Sequence, residues 1–278
     1  MGTGECGLKS LIVTADDFGA ATAVNEAVET AFREGILTAT SLMTGAPAAA
    51  DAVRRARSLP GLGVGLHVVV VRGKATLPAP QVSAIADHEG FLDSNLVRAG
   101  FRYFFSPTAR RQLAAEIRAQ FDAFAATGLP LDHVNAHNHM HLHPTVLSLI
   151  LRIGREYGLR AVRLPNEPSG GIGALFLQPW IRLTRQRLRR AGIRHNDVLL
   201  GLSATGSMDR EAMIAALASL PDGISEIMTH PASGSWDGSE PEAAGYRFAD
   251  ELAALIDPAV RDAASRSGAA RINFAGIG

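Results

Sequence analysis

Short apolar, β-branched runs alternate with segments of helical period along most of the chain. This alternation constrains the fold more than any other feature. "SLIVTADDFG" opens as a buried strand over residues 10–15 and ends in turn chemistry. Val24, Ala27, Val28, Ala31 and Phe32 then recur at helical spacing, and Gly35 is a natural stop. "ATSLMTG" reads as a second strand, "PAAADAVRRARSL" as a second helix and "GVGLHVVVV" as a third strand. A long helix is expected over residues 107–126, then the strand "LDHVNAH", the helix "PTVLSLILRIGREYG" and the strand-like "RAVRLP". "DREAMIAALASL" and "ISEIMTH" continue as helix and strand, and "ADELAALI" and "RINFAG" close the pattern.

Strands alternating with helices imply an α/β fold with a parallel sheet. About seven or eight strand signals in this length favour a (β/α) barrel, incomplete or distorted, over an open sheet. A Rossmann sheet would need a Gly-rich phosphate turn after its first strand, and "TADDFGAATA" is not one. Two excursions interrupt the pattern. Residues 72–106 read as irregular, with prolines and the aromatic cluster "FRYFF", and residues 166–196 form the second. Without an internal repeat or a linker, residues 1–278 read as one domain carrying two inserted loops.

Lys+Arg and Asp+Glu both number 27, so no global charge recommends nucleic acid as a partner. The single cysteine, Cys6, excludes an internal disulfide framework. "MGTGECGLKS" lacks the features of a signal peptide, and no run is apolar enough to span a bilayer. The expected location is the cytoplasm. The oligomeric state is left open.

The polar residues fall at telling places. Asp16 and Asp17 end the first strand, His67 lies toward the end of the third, His137 ends "LDHVNAH" and His230 ends "ISEIMTH". In a parallel barrel the C-terminal ends of the strands share one face, and that face carries the active site. Each residue alone also has a plainer reading: a helix cap for the aspartates, a satisfied core residue for His67, a loop for His230. The segment "HVNAHNHMHLHP" is less easily dismissed. It holds five of the nine histidines, His133, His137, His139, His141 and His143, interleaved with apolar residues at a strand-to-helix junction. On an extended backbone His137, His139 and His141 face one side, and on a helix His137 and His141 share a face. Five ligands are too many, because a catalytic zinc uses about three and keeps a position open. Carboxylate plus imidazole suits a divalent ion of the zinc, nickel, cobalt or iron class. With a spare carboxylate as base and an opposed histidine as acid, the set suits hydrolysis of an amide or ester.

"TADDFG", "GVGLH", "HVNAHNHMHLHP" and "EIMTHP", in this order, resemble the motifs of the YdjC-like carbohydrate deacetylases, and "AVETAFREGILTATSLM" aligns with them. The resemblance covers most of the chain outside the two excursions. The spelling of the histidine segment is most similar to the hopanoid-biosynthesis-associated branch, HpnK. The resemblance implies one divalent metal, Zn2+ by preference with Mg2+, Ni2+ or Co2+ as alternatives, held by Asp17, His67 and His137. It makes Asp16 the general base and His230 the general acid. Asn135, His139, His141 and Arg163 are expected to touch substrate or support the ligands. The wider family often has aspartate at the position of Asn135 and histidine at that of Asn138. Asparagine carries no charge, so Asn135 can only orient a neighbouring histidine.

The implied reaction removes the acetyl group of an N-acetylglucosaminyl hopanoid glycolipid, releasing acetate and a free amino sugar. The alternatives are a deacetylase of soluble N-acetylated oligosaccharides and a non-catalytic metal- or lipid-binding protein. A glycosidase would need a carboxylate pair across the scissile bond, whereas this rim is dominated by histidine. The second excursion bears on the substrate. "GALFLQPWIRLTRQRLRRAGIRH" carries six arginines with Phe176 and Trp180, and no acidic residue lies between Glu167 and Asp197. A basic amphipathic segment with tryptophan reads as a membrane-surface contact, here through Phe176, Trp180, Arg182 and Arg185 at the inner face of the membrane. The plainer reading is a solvated helix packed on the barrel.

Overall fold

The computed structural model describes residues 9–168, 171–234, 243 and 245–278, with the side chains of residues 171–176 outside the described set. Strand β1 (Lys9–Phe18) is buried from Leu11 through Phe18, as a strand covered on both faces must be. It pairs in parallel with β2 (Ala39–Leu42) on one side and β6 (Gly223–Thr229) on the other, and its start also pairs with β7 (Ala270–Arg271). Beyond β2 lie β3 (Gly63–Val68) and β4 (Val134–Ala136), and beyond β6 lies β5 (Val198–Leu200). The strand order is β4-β3-β2-β1-β6-β5.

Residues 160–166 carry the ring from β4 toward β5. Val162 bridges to Val134 and Ala161 to Arg194, both in parallel sense, and the Leu199 amide donates to the Asn166 carbonyl at 2.8 Å. The result is a distorted (β/α) barrel. The strand-like "RAVRLP" contributes single bridges rather than a ladder, because Pro165 has no amide to donate.

Helices α1 (Thr22–Glu34) and α2 (Ala49–Ala56) cover the first crossovers. Gly35 caps α1, where its amide donates to the Ala31 carbonyl. Two helices then precede β4. The first excursion is not irregular throughout: it ends in α3 (Leu96–Phe105), capped by Asn95, whose side chain accepts from the Arg98 amide at 2.9 Å. "FRYFF" therefore lies on a helix, with Tyr103 buried and Phe101, Phe104 and Phe105 turned outward. The prolines, at 78 and 80, govern only the earlier half. Helix α4 (Pro107–Ala126) matches its expected bounds, set by Pro107 at the first position and Ser106 as cap.

Helix α5 (Pro144–Gly154) follows the histidine segment, and α6 (Gly171–Arg190) occupies most of the second excursion. Helices α7 (Arg210–Ala218), α8 (Phe248–Ile256) and α9 (Pro258–Arg266) complete the shell. Helix α9 was not expected. Its signals, Asp257 as cap and Pro258 at the first turn, fall in a stretch of weak apolar period. Strand β5 was also missed, because three residues are too few to show a period. The core joins outward-facing strand residues such as Leu11, Val13, Leu42 and Leu66 to helix residues such as Val28, Leu113 and Ile150.

Candidate metal centre and active site

Two aspartates in sequence should point to opposite faces of a strand. Here β1 departs from regularity between Ala15 and Phe18 in its pairing with β2, and Asp17 takes a left-handed backbone with φ of 64°. An irregularity of this kind re-aims a side chain. Gly19, with φ of 96°, completes the turn, and its amide donates to the Asn25 side chain. Asp16 and Asp17 thereby both line one cavity of about 360 Å³ at the strand ends, with His67, His137, His139 and His230.

Asp17, His67 and His137 converge. Asp17 Oδ1 lies 3.4 Å from His67 Nε2 and 3.5 Å from His137 Nδ1, and the two imidazole nitrogens are 3.2 Å apart. All three residues are buried. Asp17 Oδ1 accepts no hydrogen bond, an arrangement that a buried carboxylate tolerates only with a cation at hand. Ligands about 2.0–2.2 Å from a tetrahedral metal stand roughly 3.3–3.6 Å from one another. The donor set of two nitrogens and one oxygen, at these separations, fits a zinc-class divalent ion. Formal charge agrees. Asp16, Asp17 and Glu226 are buried around a single buried guanidinium, Arg163, and a divalent cation balances the excess.

The ligand-type residues are held from behind. His67 on β3 is in register with Asn135 on β4, so their side chains share the barrel interior. His67 Nδ1 lies 2.8 Å from Asn135 Oδ1 and 3.0 Å from Ser41 Oγ. The Asn135 amide nitrogen donates to Asp16 at 2.9 Å, which fixes the amide with its oxygen toward His67. That oxygen accepts from Nδ1–H, so Nε2 carries its lone pair toward Asp17 and His137. Burial, partly offset by Asp16 and Asp17, lowers the His67 pKa to about 4. The ring is neutral near pH 7, as a ligand must be. Burial pushes Asp17 upward, but His137 and then His67 outweigh it and bring its pKa to about 2.

Asp16 differs from its neighbour in being hydrogen-bonded at both oxygens, with three donors on Oδ1 and one on Oδ2. Arg163 grips both of its oxygens, Ser41 donates to Oδ1 at 2.7 Å, and Asn135 donates to the same atom. Burial raises its pKa, yet Arg163 dominates and holds it well below the usual carboxylate range. Arg163 is itself fully buried and donates through Nε to Glu226 at 2.8 Å, and Thr14 donates to the same carboxylate at 2.8 Å.

His230 reaches the cavity from the end of β6, beside the Tyr246 ring at a centroid distance of 5.6 Å. Its backbone amide donates to Glu251, which also accepts from the Met208 amide. Burial raises the pKa of Glu251.

The histidine segment is neither extended nor an even helix. Residues His137–Leu142 form a 3-10 turn in which Asn138 and His139 are left-handed, with φ of 49° and 53°. That kink sends His139 to the cavity wall and leaves His141 fully buried outside it. Burial lowers the His141 pKa to about 3. His133 is structural: it is buried, 2.9 Å from Asp132, and stacks on Phe274 at 4.2 Å. A Cβ on Gly65 would meet its ring at 2.5 Å, so only glycine fits there. His143 packs against Tyr103 and Phe104.

Trp180, Arg182 and Arg185 lie on α6, away from this cavity, and the side chain of Phe176 lies outside the described residues. Sequence reasoning missed Ser41, Glu226 and Glu251. A charged residue inside the apolar strand "ISEIMTH" was a usable signal for Glu226. Ser41 and Glu251 carried none.

The profile of the YdjC-like protein family matches residues 10–266. A carbohydrate deacetylase of Geobacillus stearothermophilus is 30% identical over 253 residues, covering 89% of each chain. A carbohydrate deacetylase of Mus musculus is 31% identical over 282 residues, covering 90% of this chain and 89% of that one. Among solved structures, a proposed cellobiose-phosphate cleavage protein of Enterococcus faecalis superposes with a TM-score of 0.77 at 23% identity, over 96% of this chain and 98% of that chain. The ordered motifs, the barrel and the profile agree over nearly the whole length, and the chain belongs to the YdjC-like family.

Proposed function

We propose that the protein is a carbohydrate deacetylase whose activity depends on a divalent metal held by Asp17, His67 and His137. The observation that carries this reading is the contrast between adjacent carboxylates: Asp17 offers an open oxygen to two imidazoles, while Asp16 is held by Arg163, Ser41 and Asn135 and keeps a lone pair on Oδ2. A passive metal site has no use for the second. The bound ion, Zn2+ by preference, would supply Lewis-acid polarisation and an acidified water.

The chain's own residues account for the proton movements. Asp16 receives the proton of the attacking water on Oδ2 as the new C–O bond forms. His230 gives a proton to the sugar nitrogen as the C–N bond breaks. Acetate and a free amino sugar leave. Asn135 orients His67, Arg163 orients Asp16, and His139 contacts the substrate from the cavity wall. His141 supports the turn that carries His139.

The finer substrate in this reading is an N-acetylglucosaminyl hopanoid. Asn135 and Asn138 depart from the spelling of the wider family, which favours this branch over soluble chitooligosaccharides. The reaction would then take place on the cytoplasmic side of a membrane. No helix among the described residues is long and apolar enough to cross one. Contact would come from the arginine face of α6, where exposed Arg182 and half-buried Arg185 face anionic headgroups.

Acetate release from an N-acetylglucosaminyl glycolipid, with and without chelator, tests the activity. Asp16→Asn should abolish turnover. Wild-type rates in that variant would remove the base assignment. Flotation with anionic liposomes tests the membrane contact, which is wrong if the protein stays at the bottom of the gradient.

A further inference from the structure

The cavity at the strand ends has an apolar neighbour. Leu96, at the start of α3, lines it and also lines a second groove of about 590 Å³ between α3 and α6. His143 is the only polar side chain among the described residues that line this groove. Phe101, Phe105 and Trp180 line it at 63%, 68% and 47% exposure. Of the large apolar side chains exposed among the described residues, all but Phe91 lie on these two helices. The Phe101 and Phe105 rings stack at 6.0 Å, and Phe104 meets Phe105 edge-on at 4.9 Å. An aromatic patch concentrated in this way marks a binding surface, and the volume lies within the range of small-ligand sites.

We infer that this groove holds a hydrocarbon group attached to the sugar substrate, entering past Leu96 while the N-acetyl group occupies the polar cavity. The inference rests on the deacetylase reading for the sugar end and on the groove itself for the apolar end. Adjacency across Leu96 favours a substrate tail. The placement of the arginines argues against a bilayer lying on the same wall. Arg182, Arg185, Arg189 and Arg190 line a separate depression that neither Trp180 nor Leu177 touches. Trp180 and Arg182 are two positions apart on α6, roughly 200° around the helix, so one flat surface cannot meet both.

The test uses the full chain, metal-loaded, and the double variant Phe101→Ser/Trp180→Ser, both positions being exposed enough to spare the fold. Dodecyl glucoside, which has no acetyl group, is titrated calorimetrically below its micelle concentration. Dodecyl and methyl N-acetylglucosaminide are compared as substrates. The wild type should bind dodecyl glucoside about tenfold or more tighter than the variant, as expected for the loss of two apolar contacts. The variant should lose a similar factor in kcat/KM on the dodecyl substrate, through KM, and change less than about twofold on the methyl substrate. Equal affinity of the two proteins for dodecyl glucoside, or no binding by either, overturns the inference. So does a variant that loses only its affinity for phospholipid vesicles, which would make the patch a bilayer contact. Tight dodecyl glucoside binding with no acetate from either substrate would sink the deacetylase reading and leave the groove standing.

Discussion

The polar cavity and the aromatic groove share one residue, Leu96, and are built in opposite ways. In the cavity, buried polar groups hold one another: Asp16 alone accepts from Arg163, Ser41 and Asn135. Such a network fixes geometry to within tenths of an ångström, and its failure is costly because each partner left behind is buried and unpaired. In the groove, large apolar side chains stay in contact with water and meet one another only through ring contacts. Removing one leaves nothing stranded. The cavity is therefore the place for chemistry and the groove the place for selectivity. Variants should separate the two by the size and kind of effect.

The largest effect belongs to the convergent donors. His137→Ala should lose the metal and lower turnover by more than about a thousandfold, read by metal analysis and acetate release together. A variant that kept its metal would break the contrast between ligand and wall. Arg163→Met comes next. It strands Asp16 and Glu226 in the interior, which should cost about 3–5 kcal/mol and lower the melting temperature by roughly 10 °C. A melt within a degree or two of wild type would show that the network is not cooperative.

The pH dependence of the metal-free protein sharpens the same point. His67 is lowered to about 4 by burial, against about 6.5 in the unfolded chain. The unfolded state thus binds the proton first, and stability is present above about pH 6.5 and lost as pH falls toward 4. His141, lowered to about 3 by burial, acts in the same direction. His67 alone accounts for about 3 kcal/mol, and thermal melts between pH 7 and 4 should show the loss. His139 and His143, also lowered by burial, act in the same direction, and His141→Leu, which removes one of these groups, should flatten the slope. An unchanged slope in that variant would remove His141 from the account.

Asn135→Ala should be milder, about 10–100-fold in metal affinity with the fold intact, measured by competition with a chromogenic chelator. Full affinity in that variant would deny Asn135 its orienting role. The smallest effect lies outside both regions. Arg182→Glu/Arg185→Glu should weaken binding to anionic vesicles by about 1 kcal/mol or more per residue and leave turnover of a soluble substrate unchanged.

Much of this was legible in the chain. The alternation of period-2 and period-3.6 segments carries the barrel, and the positions of Asp16, Asp17, His67, His137 and His230 at strand ends place them on one rim. The convergence of Asp17 with two histidines was implied by the family resemblance alone and not by any regular geometry. It depends on an irregularity in β1 and a left-handed residue, and neither leaves a periodic trace. The same holds for the kink at Asn138 and His139, which divides His139 from His141 against both regular geometries. Helix α3 is not evident in the sequence because the aromatic run "FRYFF" hides its period, although Asn95 stands as its cap. Glu226 and Ser41 were missed because their partners lie far away in sequence. Pairing across |i−j| of 63 or 26 cannot be read from spacing.

The central claim is that adjacent carboxylates divide the work, with Asp17 on the metal and Asp16 off it. Metal titration of the purified apoprotein tests it directly, comparing wild type with Asp17→Asn and Asp16→Asn. The account predicts one divalent ion per chain for wild type, the same stoichiometry for Asp16→Asn with turnover abolished, and loss of tight binding for Asp17→Asn. Loss of the metal in Asp16→Asn, or full retention in Asp17→Asn, would contradict it.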